Sequence, residues 1–496
     1  MRNYFFLLLL LTFLVLPVSA DGMAFKGLED RWSLQPETMQ LAAINYENGY
    51  ENLLLSVTLE NSIRGNKTVW IFPVPAQPEQ IEIDMVRGYP RFGGKNLDRV
   101  TGDSVGTIAL SSAAYGTFPA SLPLWVMGGA GFFTLQKAQA ADGNPAGFVV
   151  HERIEKMGIV TELVTARDGA SVRDYVTQNG VVLPQEAEGL LNEYIGKDYS
   201  FVISYAGNTT GSASLAGLEE KSPGTPPDVI GVFVRFPADR IYFPLRPTSI
   251  YGKQVIPVVI DVTGFVTPLP DDKIRPVTEV SYFVDENFWY YYSAGELGKF
   301  FNYPTEFRPV TYTRVRITAP SEYFTSDLMM ESVPPAGVRV KETLIQYAVF
   351  WAVPLYILVS VLVSLVAGTI VFGRTPANPK ILALHGLWNC GTMVGFACGT
   401  AQFLKIEGAS GKKRLGFFVL FYLLFIAVYT LAAAIASPAL AHGLVNLFTF
   451  LLILPVIGFM FGMYIFARDP VLAIILFTLN AGFYGVLWLA VKKYLN

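Results

Sequence analysis

The residue types that most often carry catalysis or bind metal ions are scarce in this 496-residue chain. It contains three histidines and two cysteines, and of these only His151 precedes the long apolar run that begins after Glu342. Most zinc sites and the Cys–His nucleophile need several such residues together. One histidine and no cysteine cannot form either kind of site in this part of the chain. A Ser-His-Asp triad is formally possible, but no Gly-x-Ser-x-Gly turn accompanies His151, so a structural role is favoured.

Acidic pairs are the remaining candidates for chemistry before the apolar run. Glu219-Glu220 and Asp271-Asp272 lie in predicted loops, and glycoside hydrolysis uses two carboxylates. Adjacent residues point in different directions, so neither pair forms a site alone. The sequence also lacks an EF-hand loop and a phosphate-binding Gly-rich loop. We therefore predict no catalytic, cofactor-binding or metal-binding residues and no cofactor, and we favour a protein that is not an enzyme.

Two other residue sets are candidates for binding or modification. Asn66 and Asn208 each begin an Asn-x-Thr triplet, the acceptor pattern for N-glycosylation. Aromatic rings can bind a sugar or a partner protein, although burial in a core is their commoner use. One aromatic run consists of Phe288, Trp289, Tyr290, Tyr291 and Tyr292. We predict that this run is a candidate ligand or partner patch.

Charge is divided unevenly along the chain. Residues 21–343 carry 27 Lys and Arg against 38 Asp and Glu, whereas the remainder carries 10 against 2. Nucleic-acid binding requires clustered positive charge, so an acidic N-terminal part beside a basic, apolar C-terminal part argues against nucleic acid as a partner. The predicted partners are the lipid bilayer and another membrane or envelope protein or a glycan.

The apolar run after Glu342 divides the chain into an N-terminal part and a membrane part. Residues 343–373 contain no Asp, Glu, Lys or Arg, and a helix of about 20 apolar residues can cross a bilayer. We predict an all-α transmembrane bundle at 344–496 with about five spans. The spans are 345–372, 381–404, 415–437, 442–467 and 470–491. The second is the weakest, and its Gly391, Gly395 and Gly399 form a small-residue face that lets membrane helices pack closely.

The number of spans conflicts with the distribution of basic residues. With five spans and an exported N-terminal part, the loop 405–414 lies outside although it carries four basic residues. Cytoplasmic loops normally hold such an excess of positive charge. If 381–404 does not cross the membrane, this loop is cytoplasmic and four spans remain, but the lysines near the C-terminus then lie outside. We favour five spans and keep four as the alternative.

Residues 1–20 have the features of a signal peptide. Arg2 supplies the positive start, residues 5–16 are largely apolar, and small residues precede a cleavage point after Ala20. We predict cleavage there, with an uncleaved anchor as the alternative, and export of the part that follows. Both cysteines lie in the apolar block, so the exported part is held together without disulfides.

The exported part is predicted to be a β-rich α+β ectodomain. Short segments rich in β-branched residues, separated by Pro and Gly, indicate strands. The predicted strands are 51–61, 68–72, 81–85, 158–166, 199–205, 229–236, 255–262 and 308–318, and the predicted helices are 168–179 and 184–195. We divide this part into a β-rich module at 21–150 and an α+β module at 151–343. The apolar segment 122–135 is too short to span a bilayer, which favours a buried helix over a segment lying on the membrane surface.

Three segments resemble an uncharacterised family of exported prokaryotic proteins, a domain of unknown function. Residues 70–75 (WIFPVP) match its W-x-x-P-V-P signature, and 158–180 is similar to its strand-then-helix segment. Residues 236–250 are similar to a third segment, with a Phe-Pro-Leu-Arg core at 243–246. The resemblance covers about residues 40–265. It implies an exported α+β domain and no activity, cofactor or site residue.

Three functions fit this architecture. The first is a non-enzymatic binding or assembly component of the cell envelope, which a closed, dry helical bundle would favour. The second is a transporter or channel component with a substrate-capturing ectodomain, which a polar cavity between helices would favour. The third is a membrane-bound hydrolase of envelope material, which acidic residues gathered in one cleft of the ectodomain would favour. In each case we expect a multi-pass protein of the cell membrane with an extracytoplasmic N-terminal domain.

Overall fold

The computed structural model describes part of the chain. The described residues are 23–28, 31–34, 39–57, 68–90, 92–117, 152–156, 159–166, 171–173, 175, 185–206, 230–285, 296–302, 310–373 and 408–437, with single helical positions at 471, 474, 478, 482 and 489. Several predictions therefore lie outside the described residues. These are the signal peptide, His151, the apolar segment 122–135, the glycosylation triplets at Asn66 and Asn208, the aromatic run 288–292, the glycines Gly391, Gly395 and Gly399, and the spans 381–404 and 442–467.

Contacts within the chain define two compact units. A β-rich unit comprises Met1–Asn96 and Gln136–Val338, and a helical unit comprises Leu97–Leu135 and Arg339–Asn496. The N-terminal part is thus rich in β-structure and the helices lie towards the C-terminus, as the sequence predicts. Strands from both predicted modules, 21–150 and 151–343, share the two larger sheets of the β-rich unit.

Secondary structure is numbered here in chain order. The strands are β1 (Met23–Leu28), β2 (Arg31–Leu34), β3 (Gln40–Glu47), β4 (Tyr50–Val57), β5 (Thr68–Val74), β6 (Glu82–Arg87), β7 (Lys95–Asn96), β8 (Glu152–Lys156), β9 (Ile159–Val164), β10 (Ser200–Ala206), β11 (Ile230–Pro237), β12 (Ile241–Phe243), β13 (Val255–Thr263), β14 (Thr267–Leu269), β15 (Thr278–Asp285), β16 (Val310–Pro320) and β17 (Leu328–Glu331). The helices are α1 (Leu97–Thr117), α2 (Gln185–Asn192), α3 (Ala336–Gln346), α4 (Ala348–Phe372) and α5 (Gly411–Ala436).

The strands form three sheets. A six-stranded sheet has the order β2-β1-β5-β10-β9-β8, and an eight-stranded sheet has the order β6-β11-β4-β3-β13-β16-β15-β7. A small third sheet has the order β12-β17-β14. Strand pairs are antiparallel except for β3 and β13, which run parallel in the eight-stranded sheet.

The main core lies between the two larger sheets. Alternate residues of a strand point to opposite faces, so Leu53 and Leu55 of β4 enter this core while Leu54 points away from it. Trp70 and Phe72 of β5 enter from the six-stranded sheet. Each large apolar side chain that is fully buried contributes roughly 1.5–3 kcal/mol. Burial on both faces of the sheets thus makes up for the lack of disulfides in this unit.

The outer face of the six-stranded sheet is covered by helix α2. Leu191 of α2 and the following Tyr194 pack on Ile71 and Phe201 of the sheet. α2 lies within the helix predicted at 184–195 and is shorter than predicted. Strand β5 is longer than predicted and includes Pro73, which pairs with Phe201. Proline is tolerated there because, among the described residues, β1 pairs with residues 68–71 and does not reach Pro73.

The outer face of the eight-stranded sheet carries a buried ion pair. Asp261 of β13 and Arg314 of β16 are in register, and two Arg314 nitrogens lie 2.7 and 3.1 Å from the two carboxylate oxygens. The guanidinium carbon also lies 5.5 Å from the Phe283 ring centroid and 5.7 Å from that of Tyr312. Burial raises the pKa of Asp261, and the hydrogen-bonded Arg314 opposes that rise.

Among the described residues, two helices of the helical unit are long and apolar enough to cross a membrane, Phe350–Phe372 and Gly411–Ala436. They belong to α4 and α5, and the two helices pack antiparallel. Phe372 at the end of α4 lies 6.2 Å, between ring centroids, from Phe417 near the start of α5. Tyr356 near the start of α4 instead contacts Tyr429 near the end of α5, at 6.1 Å.

Helix α1, which we did not predict, packs against α5. The face of α1 that contacts α5 is made of small residues, and Gly106, Ala109 and Ala113 are buried there. A Cβ atom on Gly102 would overlap the carbonyl oxygen of Ala436, so only glycine allows this close approach. α1 meets the C-terminal end of α5 first and then runs back along it.

Candidate functional site

Tyr242 connects two carboxyl groups in the interior of the β-rich unit. Its backbone N–H donates to the Glu51 carboxylate at 2.7 Å, and its hydroxyl donates to Asp327 at 3.1 Å. Strand β12 holds Tyr242 in place, Glu51 lies in β4, and Asp327 directly precedes β17. We refer to Glu51, Tyr242 and Asp327, with Tyr194 and Arg246, as the Tyr242 cluster.

Asp327 is the most heavily hydrogen-bonded acid of the cluster. It accepts hydrogen bonds from the hydroxyls of Tyr194 (3.1 Å) and Tyr242 and from the backbone N–H of Arg246 at 2.9 Å. Burial nevertheless raises the pKa of Asp327 to about 6, because desolvation outweighs these hydrogen bonds and the nearby Arg246. The same burial, together with the charge of Asp327, raises the pKa of both tyrosines.

Glu51 is the more deeply buried acid. Its side chain has no solvent exposure, and burial raises its pKa well above the ordinary value. The Tyr242 N–H donates to one carboxyl oxygen, and the structure gives the other oxygen no hydrogen-bond partner. A carboxylate without a cation is costly in such a place, so burial favours the neutral form of Glu51.

The cluster reaches the surface through Arg246. Its guanidinium bonds both carboxylate oxygens of Glu193, at 2.6 and 3.0 Å, and the Glu193 carboxylate raises the pKa of Arg246. Arg246 begins the 3-10 helix Arg246–Tyr251, whereas Glu193 directly follows α2. The pair therefore ties the helix on the outer face of the six-stranded sheet to the cluster.

Two of the segments that carry the family resemblance meet at this cluster. The Tyr242 hydroxyl lies 3.4 Å from the carbonyl oxygen of Pro73, which belongs to the W-x-x-P-V-P segment. Tyr242 directly precedes the Phe-Pro-Leu-Arg core at 243–246, whose arginine donates its N–H to Asp327. The sequence did not reveal this contact because Asp327 lies far from both segments along the chain.

The chemistry open to the Tyr242 cluster is proton binding. The pKa of Asp327 is raised to about 6, and the three groups that hydrogen-bond to it all donate, which stabilises its charged form. Glu51 and Tyr242 are buried at 0% and 1% exposure, so a polymer substrate has no access to the carboxyl of Glu51 or the ring between the two acids. Paired carboxylates for hydrolysis require a substrate between them, and Tyr242 occupies that place.

A second group of charged residues lies where β6 and β8, edge strands of the two larger sheets, meet. The Ile83 N–H donates to Glu152 at 3.1 Å, and the Lys156 ammonium donates to the Met85 carbonyl at 2.7 Å. Asp84 is held between Lys156 and Lys299, at 3.7 and 3.2 Å. These side chains occupy backbone groups of an edge strand that would otherwise be free to pair with another chain.

The acidic pair predicted from the sequence at Asp271-Asp272 is divided between separate partners. Asp271 accepts hydrogen bonds from the hydroxyls of Thr325 and Ser326, and Asp272 pairs with Arg275 at 2.8 Å. No group of three metal-ligating side chains occurs among the described residues. Glu219 and Glu220 lie outside the described residues.

Comparison with known proteins does not identify a family for this chain. Neither the protein-family models, nor the curated proteins, nor the solved structures contain a match to the chain.

Proposed function

We propose that this protein is a multi-pass membrane protein whose β-rich unit lies outside the cytoplasm, and that it acts as a non-enzymatic binding or assembly component of the cell envelope. The observation that carries the proposal is the closed interior of the described helices. Phe421, Phe425 and Tyr429 of α5 form one aromatic column, and Tyr356 of α4 packs on it.

The polar residues between these helices do not open a path. The Ser364 hydroxyl donates to the Ser360 carbonyl, and the Thr430 hydroxyl donates to the Ile426 carbonyl, so both hydroxyls are satisfied within their own helices. Membrane transport requires a polar cavity or ionisable residues at mid-membrane depth. The described contacts among α1, α4 and α5 are made mainly by apolar and aromatic side chains, which disfavours the transporter alternative.

The hydrolase alternative is disfavoured by the way in which the acids of the β-rich unit are held. Asp261 is paired with Arg314, and Asp84 lies between two lysines. Glu51 and Asp327 are separated by Tyr242. Asp84 also lies near two further acids, Glu82 and Glu152. Lys299, however, binds Glu82 as well as Asp84, and Glu152 accepts a hydrogen bond from the Ile83 N–H. These bound carboxyls are not arranged as the free pair that glycoside hydrolysis uses.

The antiparallel packing of α4 and α5 bears on the number of spans. With five spans, α4 and α5 are the first and third crossings and run in the same direction. With four, 381–404 does not cross and they run in opposite directions. The antiparallel packing of α4 and α5 agrees with four spans. Four spans also place the basic loop 405–414 in the cytoplasm, in agreement with the positive-inside tendency. We therefore propose four crossings, in place of the five favoured from sequence.

The orientation is tested by labelling residue 410 from outside the cell. In a chain with Cys390→Ala and Cys398→Ala, Ser410→Cys is expected to react with a membrane-impermeant maleimide only after the cells are opened. Val340→Cys, on the exposed side of α3, is the matched control and should react in intact cells. Labelling of both positions in intact cells would support five spans instead.

The proposed role is tested by crosslinking in native membranes followed by purification. We expect a stable partner in a fixed ratio to this chain, and we expect it to be lost on Trp289→Ala with Tyr291→Ala, because the sequence predicts the run 288–292 as the partner patch and aromatic rings commonly anchor protein or glycan contacts. Tyr323→Ala is the control, since Tyr323 is an exposed aromatic residue outside that run. Recovery of the chain alone under all crosslinking conditions would overturn the proposal.

A further inference from the structure

Helix α1 has the setting of a membrane helix although it lies far from the C-terminal spans in sequence. It packs lengthwise on α5, and the contact is formed by small residues of α1 against aromatic residues of α5. The far sides of α4 and α5 expose apolar side chains, including Leu362 at 51% and Ile435 at 76%. A helix that lies along a hydrocarbon-embedded span must lie at the same depth in the bilayer.

The first turns of α1 make polar contacts with residues next to α4 and α5. The Ser437 hydroxyl donates to Asp103 at 2.6 Å, directly after the end of α5. Lys341 of α3, which directly precedes α4, is bonded to Asp98. The charged start of α1 thus lies where α4 begins and α5 ends. Trp351 near the start of α4 donates to the Leu344 carbonyl, and tryptophan is typical of the membrane–water interface.

Beyond Asp103 the chain carries no charge for a long distance. Residues 104–136 contain no Asp, Glu, Lys or Arg, which makes this run comparable in length to the one that contains α4. The helical part from Ser104 to Thr117 rises roughly 21 Å at 1.5 Å per residue, less than the roughly 30 Å of a hydrocarbon core. The Thr107 hydroxyl donates to the carbonyl of Asp103 within the helix, which removes an unsatisfied polar group from the apolar face.

α1 directly follows β7, which ends at Asn96 and belongs to the β-rich unit. We propose that α1 is a membrane-embedded helix: it enters the bilayer from the face at which α4 begins, and its outer side is covered by lipid acyl chains. This inference rests on the proposed membrane location of α4 and α5.

Nitroxide labels test the proposal on the full-length protein in phosphatidylcholine vesicles. In the chain with Cys390→Ala and Cys398→Ala, labels go on the exposed α1 positions Thr107→Cys and Ser111→Cys. Collisions with oxygen, which concentrates in hydrocarbon, are compared with collisions with a water-soluble nickel chelate. We expect the oxygen-to-nickel collision ratio at both positions to exceed the ratio at Val340→Cys several-fold.

A further label separates failure of this proposal from failure of the proposed membrane location. Leu362→Cys reports the exposed side of α4. If Leu362 has the high ratio and the α1 positions have the low ratio of Val340, water covers α1 and the membrane-embedded helix is wrong. If both reagents are excluded from the α1 positions, protein covers α1 and the acyl-chain contact is wrong. A low ratio at Leu362 itself would overturn the membrane location of α4.

Discussion

Replacing Arg314 with methionine is expected to lower the free energy of unfolding of the β-rich unit by about 3–5 kcal/mol. Asp261 is 2% exposed and has the guanidinium as its cationic partner, bound through both oxygens. Methionine keeps the apolar contact with the rings of Phe283 and Tyr312 but leaves the carboxylate buried without its cation. The cost comes from this uncompensated charge more than from lost packing.

The measurement is urea unfolding of the full-length protein in detergent, followed by pulse proteolysis of the β-rich unit. Arg316→Met is the matched control, because Arg316 lies two residues along the same strand and is exposed, where an ion pair contributes at most about 1 kcal/mol. Equal losses in the two variants would contradict the argument from burial.

The effect of Arg314→Met should also depend on pH. Without Arg314 the largest influence that opposes burial is gone and only the weaker one of Arg316 remains, so the pKa of Asp261 in the folded state rises further above its unfolded value. An acid with a raised folded pKa contributes stability below its unfolded pKa, and that contribution is lost as the pH rises through the folded pKa. The variant should therefore be less impaired at pH 5 than at pH 8. A loss that is the same at both pH values would point to packing instead.

The second large effect is expected from Asp327. Its pKa is about 6 in the folded protein against an ordinary value of 3.8, so its contribution to stability is fully present below about pH 4 and is lost as the pH rises through 6. At 1.36 kcal/mol for each pKa unit, the loss amounts to up to about 3 kcal/mol. Asp327→Asn should remove this dependence.

Asparagine fits the hydrogen bonds of this position. Tyr194 and Arg246 donate to one oxygen of Asp327, and Tyr242 donates to the other. In the variant the amide oxygen keeps the first two, and the amide NH2 donates to the Tyr242 hydroxyl, which turns to the Pro73 carbonyl. The test compares urea unfolding of the two proteins from pH 4 to 7. Parallel pH profiles would contradict the assignment, and Asp272→Asn, at an exposed ion pair, is the control.

The strands that sequence reasoning found are those with a strong local signal. Val255–Thr263 is a nearly continuous run of β-branched residues, and its burial on a central strand requires such a run. β3 escaped prediction because Ala42 and Ala43 have weak strand propensity, and pairing on both sides holds them in place. The sequence predicted that β5 ends at Phe72, because a proline usually stops a strand. The strand instead continues through Pro73 to Val74.

The helix α1 and the Tyr242 cluster lay beyond sequence reasoning for different reasons. α1 contains Gly102 and Gly106 and many Ser and Thr residues, which are poor helix formers, and its packing on α5 supplies the stability that its local sequence lacks. The cluster depends on Asp327, which no motif marks. Its chemistry arises from burial among tyrosines, a property of the folded chain alone.

The one parallel strand pair has a consequence for how the chain is made. Gln40 at the start of β3 is matched with Val258 of β13, and long-range pairing of this kind is intrinsically slow because a large loop must close first. Synthesis proceeds from the N-terminus, so β3 and β4 emerge long before the strand that completes their sheet. For most of translation, β3 and β4 are therefore without the strand that completes their pairing. The sheet can close only when the ribosome is approaching α4.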